Sequence, residues 1–356
     1  IFFVESNAEM EIIMRICNIF TGGTIGSTLD NDGYISTSKE TPYQLLYAYK
    51  NRYLCTYDME NCNPYTILSE NLDAAHILKL VKTVSLKLED GFDGIIIMHG
   101  TDTLQYSAAM LSIIFHDINI PIILVSSDYI LSDTRANGIV NYHYAIRFIE
   151  TYHQNNTLYG THHVFVSYEN KGGLPTIHCA DMLQPPIPYS GDVKSILDNY
   201  IGTYTVDKKE AYMPNIDFNS KLSILKSIEC ISNDILKLPL CIANKDYLHI
   251  QLDCCSSYIM RIQPFPGLTF PAITKNTKVI ILETYHSGTF FIHDAFYEFA
   301  QKANDSNIPI LLTGLTSGES CYETVKNYTK ANIIPVYDTA VIALYCFLWL
   351  ALSNID

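Results

Sequence analysis

Two apolar, β-branched runs, Ile12–Phe20 and Gly94–Met98, constrain this chain more than any other feature. Each runs into a glycine–threonine segment: Thr21-Gly22-Gly23-Thr24-Ile25-Gly26 in one case, His99-Gly100-Thr101-Asp102-Thr103 in the other. A strand that is apolar at successive positions is buried on both faces, as in a parallel sheet covered by helices. Both segments are therefore expected at strand carboxyl ends, where open α/β sheets hold their ligands. Two threonine hydroxyls, an aspartate and flanking glycines meeting there suit one small polar ligand and a nucleophilic hydrolysis.

The first half continues as strand and helix in alternation. Leu72–Lys87 carries apolar residues at helical spacing, with Asn71 the expected N-cap. Gly91–Met98 reads as a strand and Thr103–Phe115 as the helix after it. Pro121–Ser126 is the next strand, Asn137–Glu150 the next helix, and His163–Ser167 a further strand. A polar loop through Tyr34 follows the first glycine segment. A proline-rich stretch, Gln184-Pro185-Pro186-Ile187-Pro188, then leads into poorly periodic sequence. The second half reads as strands Tyr247–Leu252, Lys278–Glu283 and Ile308–Thr313, a helix His293–Asn304, and an apolar closing helix Ala340–Leu352.

The expected fold is α/β in two domains, since 356 residues exceed what one core commonly supports. The larger N-terminal domain, 1–203, has a mostly parallel sheet flanked by helices. A linker covers 204–221, and a smaller α/β domain covers 222–356. Residues 1–13 read as an extension, with Met14 the expected start.

Composition narrows the partners. A net charge of −14 argues against nucleic acid and against an anionic membrane surface, because both need clustered Lys and Arg. The closing helix is shorter than the roughly 20 apolar residues of a membrane span, so it is expected to be buried. The ten cysteines show no Cys-x-x-Cys pair, which suits free thiols in a reducing cytoplasm and no zinc site. His162-His163 and His293 have no ligand-spaced partner. Asn155-Asn156-Thr157, Asn304-Asp305-Ser306 and Asn327-Tyr328-Thr329 fit the glycosylation sequon as chance matches.

The first glycine segment is not a nucleotide loop. No Gly-Lys-Ser/Thr follows it, and Ser27-Thr28-Leu29-Asp30-Asn31-Asp32-Gly33 is turn-forming where a dinucleotide fingerprint needs a helix. Read singly, Gly-Thr-Asp-Thr before a helix is more often a cap than a catalyst.

Taken together, the two segments resemble the paired signature motifs of the bacterial-type L-asparaginases, closest to the cytosolic type I branch. Gly33-Tyr34-Ile35 after the first motif and Ser69 before the second fit the same layout. The resemblance implies a threonine amidohydrolase without metal or other cofactor, acting on L-asparagine to give L-aspartate and ammonia. It implies Thr21 as nucleophile, Tyr34 on a mobile loop assisting it, and Thr101 with Asp102 in a second catalytic cluster. The implied substrate-binding set is Ser69, Glu70, Gly100, Thr101 and Asp102. In that set Ser69 and neighbouring backbone N–H groups hold the α-carboxylate, and Asp102 pairs with the α-ammonium. A homodimer or homotetramer is implied, with the closing helix a candidate packing surface. The amidase-like subunit of a tRNA-dependent amidotransferase shares both motifs but fits the acidic charge less well.

Several positions depart from the family pattern. An ungapped match puts Ile177 where the family has a lysine beside Thr101 and Asp102, with Lys171 a few residues upstream as the substitute. Asn137 stands in place of an aspartate, Asp128 in place of a Gly-Ser-Gln segment, and Thr289 in place of an asparagine. Loss of the lysine leaves a second reading open: an amino-acid-binding protein of the same fold with impaired turnover.

Overall fold

The computed structural model describes residues 14–37, 41–53, 57–154, 162–204, 211–212, 224–229, 231, 237–253, 257–318 and 322–354. The expected extension 1–13, the sequon at Asn155 and most of the expected linker lie outside the described residues.

Strand β1 (Arg15–Phe20) leads through the first glycine segment into a hairpin of β2 (Ser27–Leu29) and β3 (Ile35–Thr37), where a polar loop was expected. Helix α1 (Thr41–Arg52) and strand β4 (Asp58–Cys62) follow. Next come α2 (Ala74–Leu88), β5 (Gly94–Met98), α3 (Leu104–Ile114), β6 (Ile122–Val125), α4 (Gly138–Gln154) and β7 (Val164–Glu169). The chain then runs through β8 (Pro175–Cys179), β9 (Tyr200–Tyr204) and β10 (Ala211–Tyr212). These strands form one sheet in the order β10-β9-β8-β7-β6-β5-β1-β4. The five strands from β7 to β4 run parallel, and β8, β9 and β10 are added antiparallel at the other edge. The sheet thus reaches Tyr212, inside the stretch expected as linker.

The strands alternate between two cores. Cys17, Ile19, Ile95, Ile97, Ile122 and Leu124 face α2 and α3. Ile16, Phe20, Ile96, Met98, Ile123 and Val125 face α1 and α4. A period of two on a sheet covered on both sides accounts for runs that are apolar at every position.

Helix α5 (Ile224–Glu229) and α6 (Leu240–Ala243) precede a second, all-parallel sheet in the order β11-β12-β13-β14. Its strands are β11 (Ile259–Ile262), β12 (Val279–Leu282), β13 (Ile310–Leu315) and β14 (Ile334–Tyr337), with α7 (Asp294–Asp305) and α8 (Lys326–Lys330) between them. Tyr247–Leu252, expected as a strand, is instead a 3-10 turn at Tyr247–His249 followed by irregular chain. Three or four apolar residues do not separate those alternatives by pattern alone.

The closing helix α9 (Val341–Ser353) is buried around nearly its whole circumference. It packs on α3 of the first sheet and beneath β11 of the second, so one apolar core runs through both sheets. The expectation that α9 offers a surface to a second copy is corrected: that surface is spent inside the chain. Among the described residues, no helix is long and apolar enough to cross a membrane.

Buried histidines make the fold sensitive to acid, His178 among them. His178 on β8 is buried, with Nδ1 against Ser195 Oγ at 2.8 Å and Nε2 without a hydrogen-bond partner among the described residues. Burial disfavours the imidazolium and pushes its pKa down to about 4. An unfolded histidine binds its proton near 6.5, so between the two values the unfolded chain holds the extra proton. Stability is expected to fall as pH drops from about 6.5 to about 4, by up to about 3 kcal/mol from this group. Urea midpoints across that range, compared with His178→Gln, test it; the variant should lose part of the slope, and an unchanged slope refutes the assignment.

Candidate active site

Strand β1 lies between β4, which follows it in sequence, and β5, which follows later. The chain therefore leaves β1 in one direction and returns on the other side, a topological switch point whose crevice opens at the carboxyl ends of β1 and β5. Thr21 follows β1 directly, and His99–Thr103 follows β5.

Backbone contacts lock these segments together. Thr21 N–H donates to Met98 O at 3.1 Å and Thr21 Oγ1 donates to the same carbonyl at 2.8 Å. Ile67 N–H donates to Thr21 O at 3.1 Å, and Gly23 N–H to Ile67 O at 2.8 Å. Gly23 has φ +76°, and a Cβ there would lie 2.2 Å from Gly100 Cα. A Cβ on Gly100 would lie 2.4 Å from Ser69 Oγ. Glycine is required at Gly23 because a Cβ would strike the Gly100 backbone, and at Gly100 because one would strike Ser69.

The second segment is held from below. His99 is buried, with Nδ1 against Gly100 O and Nε2 against Ser107 Oγ, both at 2.8 Å. Burial lowers its pKa, so the imidazole is a neutral strut rather than a charge. Ser126 Oγ donates to His99 O at 2.7 Å. Thr103 takes the N-cap position of α3 but makes no capping hydrogen bond; its Oγ1 donates to Ser69 O at 2.8 Å. The capping role that this motif would have alone is therefore not the one it plays. Asp73, not Asn71, caps α2, accepting from His76 N–H at 2.9 Å, while Asn71 closes the 3-10 turn that begins at Ser69.

Thr101 and Asp102 open onto a cleft of about 480 Å³. Gln105, Asp128, Tyr129 and a strap over 186–193 complete its wall. Thr21, Ser69 and Gly100 are buried and do not line it, whereas Glu70 is exposed. Tyr34 stands at the tip of the β2–β3 hairpin, 72% exposed, held there by Asp30 Oδ1 accepting from its N–H at 2.8 Å.

The departures acquire local reasons. Asn137 uses both ends of its carboxamide: Oδ1 accepts from Asp128 N–H at 2.9 Å and Nδ2 donates to Glu169 O at 2.8 Å. An aspartate could not make the second bond. Ile177 is wholly buried in the core against α4 and opposite Ser167, away from the cleft lining. A lysine there would sit in apolar core, so Ile177 is not the residue facing Thr101. Lys171 lies on the exposed turn between β7 and β8, its N–H donating to Asp192 Oδ1 at 3.3 Å. Thr289 closes a tight turn, its carbonyl accepting from Tyr285 N–H at 2.8 Å and its hydroxyl meeting Ser287 Oγ.

His162, read as having no ligand-spaced partner, lies with Nδ1 3.6 Å from the buried Asp181 Oδ1, and His163 Nδ1 meets Tyr152 Oη at 2.7 Å. His293 caps α7. Among the described residues, no group of three or more His, Cys, Asp or Glu side chains is arranged to hold a metal ion.

Fold and site together define an open α/β domain with hydroxyl-bearing segments at its switch point. Residues 15–171 match the family described as Asparaginase, N-terminal, and that stretch of the chain is an asparaginase-family domain. Over 130 residues it is 37% identical to a glutamyl-tRNA(Gln) amidotransferase subunit of Methanobrevibacter smithii, covering 35% of this chain and 29% of that one. Over 127 residues it is 32% identical to L-asparaginase 1 of Escherichia coli, covering 34% of this chain and 36% of that one. The chain thus matches about a third of the length of these curated relatives. Two solved structures share the two-domain fold across nearly the whole chain. The thermostable L-asparaginase from Thermococcus kodakarensis has a TM-score of 0.67 at 20% identity, covering 96% of this chain and 94% of that one. L-asparaginase I from Vibrio cholerae has a TM-score of 0.68 at 17% identity, covering 97% and 94%.

The two bonds of Asn137 predict a cost. Asn137→Asp removes the donor to the Glu169 carbonyl and sets a carboxylate against it, an expected loss of about 1–3 kcal/mol. Chemical denaturation at neutral pH reads this directly, and an unaltered midpoint would show that the clamp carries no stability.

Proposed function

We propose that the chain is a threonine amidohydrolase acting on the side-chain amide of asparagine-type substrates. The observation that carries this reading is the backbone contact between Gly23 and Gly100, which brings both threonine segments to one switch-point crevice in an asparaginase-family domain. In the proposed reaction Thr21 Oγ attacks the amide carbon, its proton passes to the departing nitrogen, and ammonia leaves. The resulting ester is hydrolysed by water to release aspartate and restore the hydroxyl. Asp102 pairs with the substrate α-ammonium, and Ser69 with neighbouring backbone N–H groups receives the α-carboxylate. Thr101 serves the departing nitrogen.

Thr21 Oγ1 is bonded to a carbonyl, so attack requires that hydrogen bond to be exchanged for one to a base. Tyr34 is assigned that assistance on closure of its hairpin, and Lys171 is the cation available at the cleft rim. Ile177 is remote from the cleft, and among the described residues no lysine lines it, so the amino-acid-binding reading with impaired turnover stands as the alternative. A second reading is favoured by the relatives: subunits of a tRNA-dependent amidotransferase match a similar share of the chain at identities similar to that of the L-asparaginase. Both readings use one amidase centre and differ in whether the ammonia is passed on.

Ammonia release from L-asparagine by the purified protein tests the centre. Thr21→Ala and Thr101→Ala are each expected to lower the rate by about 10²–10⁴-fold. Rates equal to that of the parent in Thr21→Ala would remove Thr21 as nucleophile. Stimulation of release by charged glutamyl-tRNA would select the amidotransferase reading.

A further inference from the structure

The cleft beyond Thr101 and Asp102 is lined by acceptors. Asp128 and Asp192 join Asp102 in its wall. The strap is pressed onto the first of these: a Cβ on Gly191 would lie 2.0 Å from Asp128 Oδ1. Gln105, in the first turn of α3, is 3% exposed and lines the same space, and its buried Oε1 has no hydrogen-bond partner among the described residues. An unpaired buried carbonyl oxygen costs free energy until a donor reaches it. Burial and the neighbouring Asp192 also push the Asp128 carboxyl up, as expected where carboxylates crowd without enough positive charge.

Two cations stand near among the described residues. Arg135 is committed to Asp133, with Nε to Oδ1 at 3.0 Å and Nη2 to Oδ2 at 2.7 Å, and its guanidinium stacks on Tyr129. Lys171 is exposed at the rim. Three carboxylates and one unpaired carboxamide oxygen therefore face a space whose missing complement is a cationic group rich in N–H donors.

Where such a group would sit follows from the site. Under the proposed function, which this inference rests on, Ser69 takes the α-carboxylate, Asp102 the α-ammonium, and Thr101 serves the departing nitrogen. Thr101, which serves the departing nitrogen in that reading, lines the cleft together with Asp128, Asp192 and Gln105. We propose that the preferred substrate is a substituted amide whose leaving amine carries a second cationic end, an ammonium or guanidinium, received by Asp128, Asp192 and Gln105. Bonds balance as before: the Thr21 ester forms, the C–N bond breaks, and the hydroxyl proton leaves on the amine, which here is a diamine or a lysine-like amine in place of ammonia.

Three amides separate charge from size: L-asparagine, N4-(2-aminoethyl)-L-asparagine and the neutral N4-propyl-L-asparagine. The aminoethyl amide is expected to exceed the propyl amide in kcat/KM by about tenfold, with the advantage shrinking as salt rises. Asp128→Asn with Asp192→Asn should bring that ratio to within twofold, and Gln105→Leu should raise KM for the aminoethyl amide while sparing kcat. A propyl amide turned over as well as the aminoethyl one, or a ratio untouched by the double variant, overturns the inference. If no amide shows Thr21-dependent turnover, the proposed function fails and the cleft is read by calorimetry on Thr21→Ala. Tighter binding of the aminoethyl amide, abolished by Asp128→Asn with Asp192→Asn, then upholds the subsite, and equal binding of the two amides removes it.

Discussion

The contact on which the site depends is between two backbones. Gly23 and Gly100 approach so closely that neither can carry a side chain, and Ser69 closes the third side. Hydrogen bonds from Thr21, Gly23 and Ile67 hold the approach in register. Because the contact involves main chain only, it fixes the positions of Thr21, Thr101 and Asp102 without using their side chains, which stay available for chemistry. Rigid placement of this kind is what a nucleophile and its anchors need.

That contact would be of little use on a soft support. Helix α3, which begins just after Asp102, is buried on all its faces between the first sheet and α9. The second half of the chain thus bears directly on the element that aims the second motif. A single apolar core through both sheets makes the two halves act as one body, in contrast to domains joined by polar contacts. The strap over 186–192 and the β2–β3 hairpin contribute nothing to that core. They carry Asp192 and Tyr34, the groups whose position relative to the threonines decides what the cleft accepts.

Much of the first domain was legible because its signals are local. Strands β1, β5, β6 and β7 follow from apolar runs, and α2, α3 and α4 from helical spacing, to within a few residues at their ends. Strand β4 and helix α1 were missed: the sequence Asp58-Met59-Glu60-Asn61-Cys62 has no apolar period, being an edge strand, and α1 is amphipathic only weakly. β11 was missed and Tyr247–Leu252 taken in its place, since both are short apolar pieces and only pairing with β12 distinguishes them. Ile177 shows the limit of matching residue to residue. Its side chain is buried in the core and lies outside the cleft lining, which an ungapped comparison of sequence does not register.

By itself the sequence determined the two strand–glycine–threonine units, the α/β class and the burial of the closing helix. Each rests on side-chain period, glycine freedom and apolar length, which are properties of neighbouring residues. Only the tertiary structure decided that β1 and β5 are neighbours with β4 outside them, that α9 is consumed within the chain, and that Asp128, Asp192 and Gln105 share a wall with Asp102. Those outcomes depend on residues scores of positions apart meeting across a sheet, and the free energy that brings them together is that of the assembled core.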